Sequence, residues 1–340
     1  MTQDPVTPLP LRLSIVIEWA NTRLNGQPRA AALVDRLERQ WQELLAGKYS
    51  DTLPGEGRQF LTGFDKRPEL LIVSSEAVPV AMEEAVRERL SATFDVGIHV
   101  GDGLEYYPLK NFGAGLASGD ILLFVDSDVL PDDGWLAHLV GTFARSDVDV
   151  VCGQTYVAPT GLFAKAFALG WTYKLPNRSG KVFPVRKFYA NTIALRTAVF
   201  RQAGGFPSIG RRTRGAASLL GRALERRGIA VWENQHACVD HPPPSSLRHL
   251  AVRALAHGRD QYMKHSEERH LTGLGRSVGI ATGRMGRGVY RTLRGWRRVG
   301  LRSWELPAAL ALCIGYHAFF ALGGVLTHLS PSAMGRRFRV

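Results

Sequence analysis

Ile121-Leu-Leu-Phe-Val-Asp-Ser-Asp-Val-Leu-Pro-Asp-Asp-Gly-Trp135 is the stretch on which the fold reading turns. Ile121 to Val125 is an unbroken apolar run, the pattern of a strand buried on both faces. It stops at Asp126-Ser127-Asp128. Two carboxylates at i and i+2 at the carboxyl end of such a strand project into the crevice where open α/β sheets hold ligands. Hard oxygen ligands suit Mg²⁺ or Mn²⁺, ions usually shared with substrate phosphates. The pair therefore reads as a metal–diphosphate site, or more plainly as a strand ending in a solvated acidic turn.

Reading outward, Leu13-Ser-Ile-Val-Ile17, Leu70-Leu-Ile-Val73 and Val96 to Val100 read as three further strands. Residues 29–47 and 80–93 carry helical periodicity between them, so strand and helix alternate and the sheet is expected to be largely parallel. Residues 48–68, rich in Gly, Asp, Pro and charge, read as a loop. Helices are expected over 135–145, 162–173 and 245–264, and strands at 149–153 and 229–232.

The run Tyr107-Pro-Leu-Lys-Asn-Phe-Gly-Ala-Gly-Leu-Ala-Ser-Gly-Asp120 precedes the Asp-x-Asp strand, and Pro131 and Gly134-Trp135-Leu136 follow it. This order resembles the family 2 glycosyltransferases, which have the GT-A fold. Phe188-Tyr-Ala-Asn-Thr-Ile-Ala-Leu-Arg196 followed by Ala203-Gly-Gly-Phe206 extends the resemblance. It implies an α/β, Rossmann-like and mostly parallel sheet flanked by helices. It also implies a metal-dependent, typically inverting transfer of a sugar from a nucleotide-diphosphate sugar to a glycan or lipid-linked acceptor.

The same resemblance assigns residues. Glu18, Asn21, Ser75, Lys110, Asn111, Gly113 and Asp126 would meet the nucleotide sugar. Asp126 and Asp128, with His241, would hold Mn²⁺ or Mg²⁺. Trp171, Asn191, Arg211, Arg212 and Arg214 would face the acceptor. After the first two strands the chain departs from the family's commoner wording, with Glu-Trp-Ala-Asn and Ser-Ser-Glu, so the nucleotide stays open. Trp19 either stacks on a base or packs in its loop. The family's Glu-Asp, source of the catalytic base, is replaced by Gly215-Ala216, and residues 207–224 contain no acid. Glu233 and Asp240 are the nearest substitutes in sequence. Alternatively the acceptor is already an anion, such as a polyprenyl phosphate, and needs no base.

The formal net charge of +13 suits a phosphate-bearing partner or an anionic membrane surface. Arginines crowd residues 276–302 and lead into Leu306–Leu329, which has no Asp, Glu, Lys or Arg. As a helix that segment is about 36 Å long, enough for a bilayer core. A basic run beside an apolar one favours an anionic membrane over nucleic acid. Basic residues on both flanks point to a re-entrant or interfacial helix, with Gly323-Gly324 as bend points, on the cytosolic face of a cytoplasmic membrane. The N-terminus shows no secretory pattern, and three scattered cysteines suit a reducing compartment. The expected division is a catalytic domain over 10–244, a basic helical extension over 245–303 and an apolar tail over 304–340. Two other classes compete: a catalytically weak GT-A protein that binds nucleotide sugars or a partner enzyme, and a nucleotidyltransferase. The latter would want a Gly-rich basic loop where Glu18-Trp-Ala-Asn21 stands.

Overall fold

The computed structural model describes residues 10–22, 27–49, 51–53, 55–78, 80–171, 173, 175–210, 212, 214–269, 273–332 and 334. They form two compact units. The first comprises residues 1–154, 178–207 and 217–239; the second comprises 155–177, 208–216 and 240–340. The second unit thus takes segments from within the expected catalytic domain and joins residues 245–303 and 304–340 in one body.

The first unit is built on the sheet of β1 (Leu13–Glu18), β2 (Glu69–Ser74), β3 (Asp95–Val100) and β4 (Ile121–Asp126). It continues with β5 (Leu130–Pro131), β6 (Val150–Tyr156), β7 (Val182–Val185), β8 (Thr192–Arg196) and β9 (Val231–Asp240). The order is β3-β2-β1-β4-β8-β6-β9-β5, with β7 beside β9. The β3-β2-β1-β4 half is parallel, and β8 runs antiparallel to both β4 and β6. β2 and β3 lie on one side of β1 and β4 on the other. The strand order therefore reverses between β1 and β4, which is where such sheets leave a ligand crevice. Register pairs Glu18 with Asp126 at that point.

β1 and β4 are buried at every residue, as double-sided cover requires. Helix α1 (Gln27–Leu45) packs Leu33, Leu37 and Trp41 into the core, where Trp135, Leu136 and Phe143 join them. Trp19 lies in the same core, which decides for packing over stacking. The stretch 48–68 is not all loop. Helix α2 (Gly55–Thr62) forms within it, and Leu53 and Phe64 reach the core. Its glycines and charges masked the short apolar face of Phe60 and Leu61. Helices α3 (Val80–Leu90) and α4 (Tyr106–Leu116) complete the parallel half. Gly113 is fixed by packing: a Cβ there would lie 2.5 Å from Val16 Cγ1, so α4 sits on β1 only because this residue is glycine.

Helix α5 (Trp135–Gly141) is buried throughout. Its His138 stacks on His236 at 4.6 Å between ring centroids. Burial, and then the neighbouring His236, push the His138 pKa down to about 4. The folded state thus resists a proton that the unfolded chain accepts below its ordinary pKa of 6.5. Stability should therefore fall as pH drops from 6.5 towards 4, by at most about 3 kcal/mol from this group. Denaturant titrations across that window should show the loss in the native chain and a flatter profile in His138→Asn.

Helices α6 (Leu162–Gly170), α7 (Thr197–Gln202) and α8 (Ala216–Glu225) follow in chain order. In the second unit, α6 packs with α9 (Leu247–Arg269), α10 (Gly273–Gly295) and α11 (Leu306–Leu329). α11 alone among the described residues is long and apolar enough to cross a bilayer. It is unbroken at Gly323-Gly324. Both glycines are contact points: a Cβ on Gly323 would lie 2.2 Å from the Leu255 carbonyl oxygen, and one on Gly324 would lie 2.5 Å from Ser277 Oγ. Close backbone approach, and no bend, explains them. The opposite face of α11 exposes Ile314, Phe319, Leu322, Leu326 and Leu329. Arg336, Arg337 and Arg339, on which the flanking-charge argument leaned, lie outside the described residues. All three cysteines are free and buried.

Candidate active site

Three carboxylates converge where β1 and β4 end. Glu18, Asp126 and Asp128 are all buried. Glu18 accepts from the Ala20 amide at 3.1 Å and from Asn21 Nδ2 at 2.6 Å. Burial is the main cause that holds its carboxyl well above the ordinary range, with the Asp126 charge next. Glu18 and Asn21 are thus one local unit, and Glu18 is biased towards its neutral form.

Asp126 is satisfied from helix α4. Lys110, with no exposed surface, brings its ammonium to 2.7 Å from Asp126 Oδ1. Tyr106, one helical turn earlier on the same face, donates its hydroxyl to both carboxylate oxygens at 2.8 Å. The Lys110 ammonium also lies over the Tyr106 ring at 4.8 Å. Burial, then Asp126, raises the Tyr106 pKa well above its ordinary value, so this hydroxyl remains a donor. Sequence reading missed Tyr106. Its i, i+4 relation to Lys110 was the available signal.

Asp128 is fixed through its backbone. Arg29 on α1 donates to the Asp128 carbonyl, Arg36 to that of Pro131 at 2.7 Å, and Gln40 to that of Asp132 at 2.9 Å. Gln40 also accepts from the Leu136 amide at 2.9 Å. One face of α1 therefore clasps the whole loop after β4. Arg29, Arg36 and Gln40, spaced by seven and four residues, were legible as a helical face and unassigned.

Asn111 is engaged at both ends of its side-chain amide. Its amide donates to the Phe206 carbonyl at 2.8 Å and accepts from the Phe206 amide at 2.9 Å. With both ends used, it clamps the Gly204-Gly205-Phe206 turn, in which Gly205 has φ +69°. Gly113, as above, is a packing residue. Asn191 is buried just ahead of β8, and Ser75 follows the end of β2 half-buried. Glu233 lies on β9 opposite Phe183 of β7.

The second unit holds the remaining residues. His241 is buried; its Nδ1 lies 2.8 Å from the Pro242 carbonyl and its Nε2 3.4 Å from an Arg253 nitrogen. Such contacts leave Nε2 accepting from a guanidinium. Trp171 is a buried hub touching His241, Tyr173, Phe167 and Tyr316, with Arg253 4.8 Å over its ring. Asp240 accepts from the Ala158 amide at 2.7 Å. Arg212 is buried and donates to the Ile209 carbonyl, while Arg214 is exposed. Arg211 lies outside the described residues. Burial lowers the pKa of His257 well below its ordinary value, and Arg214, Arg253, Arg284 and Arg259 add to it in that order.

Among the described residues, no group of three or more His, Cys, Asp or Glu is arranged to hold a metal. The strand-end pair still fits a hard divalent ion. Two aspartates against one lysine leave a negative charge, the donors are oxygens, and Mg²⁺-like ions normally complete their shell with substrate phosphate and water.

Residues 107–203 match the family described as Glycosyl transferase family 2. A glucosyl-dolichyl phosphate glucuronosyltransferase of Haloferax volcanii is 28% identical over an alignment of 161 residues that covers 43% of this chain and 51% of that protein. The chain thus spans about half the length of the curated relative it matches. The mannosyltransferase PcManGT of Pyrobaculum calidifontis, solved with GDP-Man and Mn²⁺, has a similar fold. Its TM-score is 0.54 at 12% identity, over 97% of this chain and 92% of that one. The motif order from Tyr107 onward and the strand-end carboxylates at the β1–β4 reversal agree with these matches: residues 107–203 are similar to family 2 of the glycosyltransferases, and the fold is of the GT-A kind.

Proposed function

We propose that this protein transfers a sugar from a nucleotide-diphosphate sugar to a phosphate-bearing lipid acceptor, in a reaction that needs a divalent ion. The observation that carries the reading is Asp126-Ser127-Asp128 at the carboxyl end of β4, buried, with Asp126 paired to Lys110. Asp128 and Asp126 would hold Mn²⁺ or Mg²⁺ against the donor diphosphate. When bound, the ion neutralises the charge that grows on the departing nucleotide. Lys110 and Tyr106 hold the Asp126 carboxylate aimed. Arg29, Arg36 and Gln40 hold the loop so that Asp128 does not swing. Glu18 and Asn21 form the neighbouring wall. A single in-line displacement would invert the anomeric centre.

The acceptor follows from what is missing. A sugar hydroxyl is barely ionised at neutral pH, so its attack calls for a positioned base. The position expected for that base is Gly215-Ala216, and residues 207–224 contain no acid. A phosphate needs none; the relative named above is named for a phosphate-bearing lipid, a glucosyl-dolichyl phosphate whose phosphate already carries a sugar. Arg212 and Arg214 belong to the unit that also holds Arg253, Arg259 and Arg284. Exposed apolar side chains on α11 and the arginines of 276–302 would bring the chain to an anionic membrane, with the arginines on its cytosolic side.

Transfer to a polyprenyl phosphate and to hydroxyl acceptors should be compared in the native chain and in Arg211/Arg212/Arg214→Ala. The expected result is efficient transfer to the phosphate, falling on the order of tenfold or more in the variant. Transfer to a hydroxyl that survives the arginine changes but is lost in Glu233→Gln or Asp240→Asn would reject the phosphate acceptor and identify a replacement base.

A further inference from the structure

Between Gly273 and Val299 there are seven arginines and no Asp or Glu. Arg284, Arg287, Arg291, Arg294 and Arg298 recur every three or four residues, which makes one stripe down α10 and the turn after it. At the end of the stripe the second unit opens a pocket of about 280 Å³. One wall carries Arg291, Arg294 and Arg298 with Tyr290; the other is apolar, from Ala168, Leu169 and Leu175. Gly295 sets the depth, since a Cβ there would lie 2.7 Å from Leu169 Cδ2.

Two of the three arginines are held before any ligand arrives. Arg291 donates to the Trp171 carbonyl at 2.5 Å. Arg294 donates to Tyr290 Oη at 2.6 Å, with its guanidinium 5.5 Å from the centre of that ring. Preorganised side chains lose less entropy on binding. Guanidinium forks match phosphate oxygens bidentately, and no carboxylate lines the pocket to compete. The opposite wall suits hydrocarbon, and Leu293 beside it is half exposed.

We propose that this pocket binds a phosphate carried on an apolar chain, as a site of its own, distinct from the donor site. The chemistry is shared by a bilayer phospholipid and by a polyprenyl phosphate. The proposal does not depend on the transfer reaction, and its test involves no donor sugar.

Co-sedimentation of the full chain should be measured with phosphatidylcholine vesicles alone, with phosphatidic acid, and with polyprenyl phosphate. Arg294→Ala/Arg298→Ala is compared with Arg276→Ala/Arg287→Ala, which removes equal charge from α10 outside the pocket. A thermal melt of each variant confirms folding. The expected result is phosphate-dependent binding that falls about tenfold in the pocket pair and less than about twofold in the other. Restoration by Arg294→Lys/Arg298→Lys to an intermediate level would support fork geometry over plain charge. Equal recruitment by both phosphates assigns the pocket to bilayer headgroups, and recruitment by polyprenyl phosphate alone assigns it to that lipid; either supports the site. Equal losses in both pairs, binding to phosphatidylcholine alone, or full release by inorganic phosphate would overturn it.

Discussion

Asp128→Ala should lower kcat/KM for sugar transfer by about three orders of magnitude, since a metal at a departing diphosphate supplies several kcal/mol and each decade is 1.36 kcal/mol. The fold should survive. Asp128 is one of the charges that raise the Glu18 pKa, so its removal relieves like-charge repulsion in a buried cluster. Stability is therefore expected to be unchanged or slightly higher, an unusual direction for the loss of a buried polar side chain. The check is a pair of measurements, steady-state transfer and denaturant unfolding. In the presence of chelator, native chain and variant should bind the donor equally weakly. Loss of activity accompanied by unfolding would assign Asp128 a structural role and leave its metal role without support.

Lys110→Met should destabilise the first unit by about 3–5 kcal/mol, because it strips the counter-ion from a carboxylate that cannot reach water. Lys110 has no exposed surface and Asp126 almost none. Tyr106 still donates to Asp126, but a hydroxyl is no replacement for a full charge. Adding Asp126→Asn to Lys110→Met should recover most of the loss, because the orphaned charge is gone. The double-mutant cycle would then give a coupling at least as large as the loss recovered, as expected for residues in direct contact. Additive losses would mean that Lys110 is held by packing against Tyr106 and Phe124 and that its pairing with Asp126 matters little. Urea titration of the three variants against the native chain decides between them.

The parallel half of the sheet was legible because its strands are short apolar runs closed by polar residues. β1, β2, β3 and β4 all fall within one residue of their expected ends. The strand order was not legible, and it matters most for function: the reversal between β1 and β4 is what brings Glu18 beside Asp126. Sequence spacing separates those two residues by more than a hundred positions, so only the fold could make them neighbours. Asn111 and Gly113 show a second limit. A motif marks them, and the fold gives both a structural part that the motif did not announce: Gly113 lets α4 pack tightly on β1, and Asn111 clamps a glycine turn. Helix α2 went unseen because Gly, Asp and Pro outnumber the few apolar residues that bury it. The second unit was the least legible of all. Residues 155–177 and 208–216 look like continuations of a sheet domain in one dimension and join the helical unit in three.

The central claim is that the end of β4 binds a divalent ion together with a nucleotide diphosphate. Calorimetric titration of the full chain with a panel of nucleotide sugars tests it most directly, in Mn²⁺, in Mg²⁺ and in chelator, with Asp128→Ala alongside. The account predicts saturable binding of at least one donor that needs metal and disappears in the variant. Donor binding of equal strength in chelator, unaffected by Asp128→Ala, would contradict it.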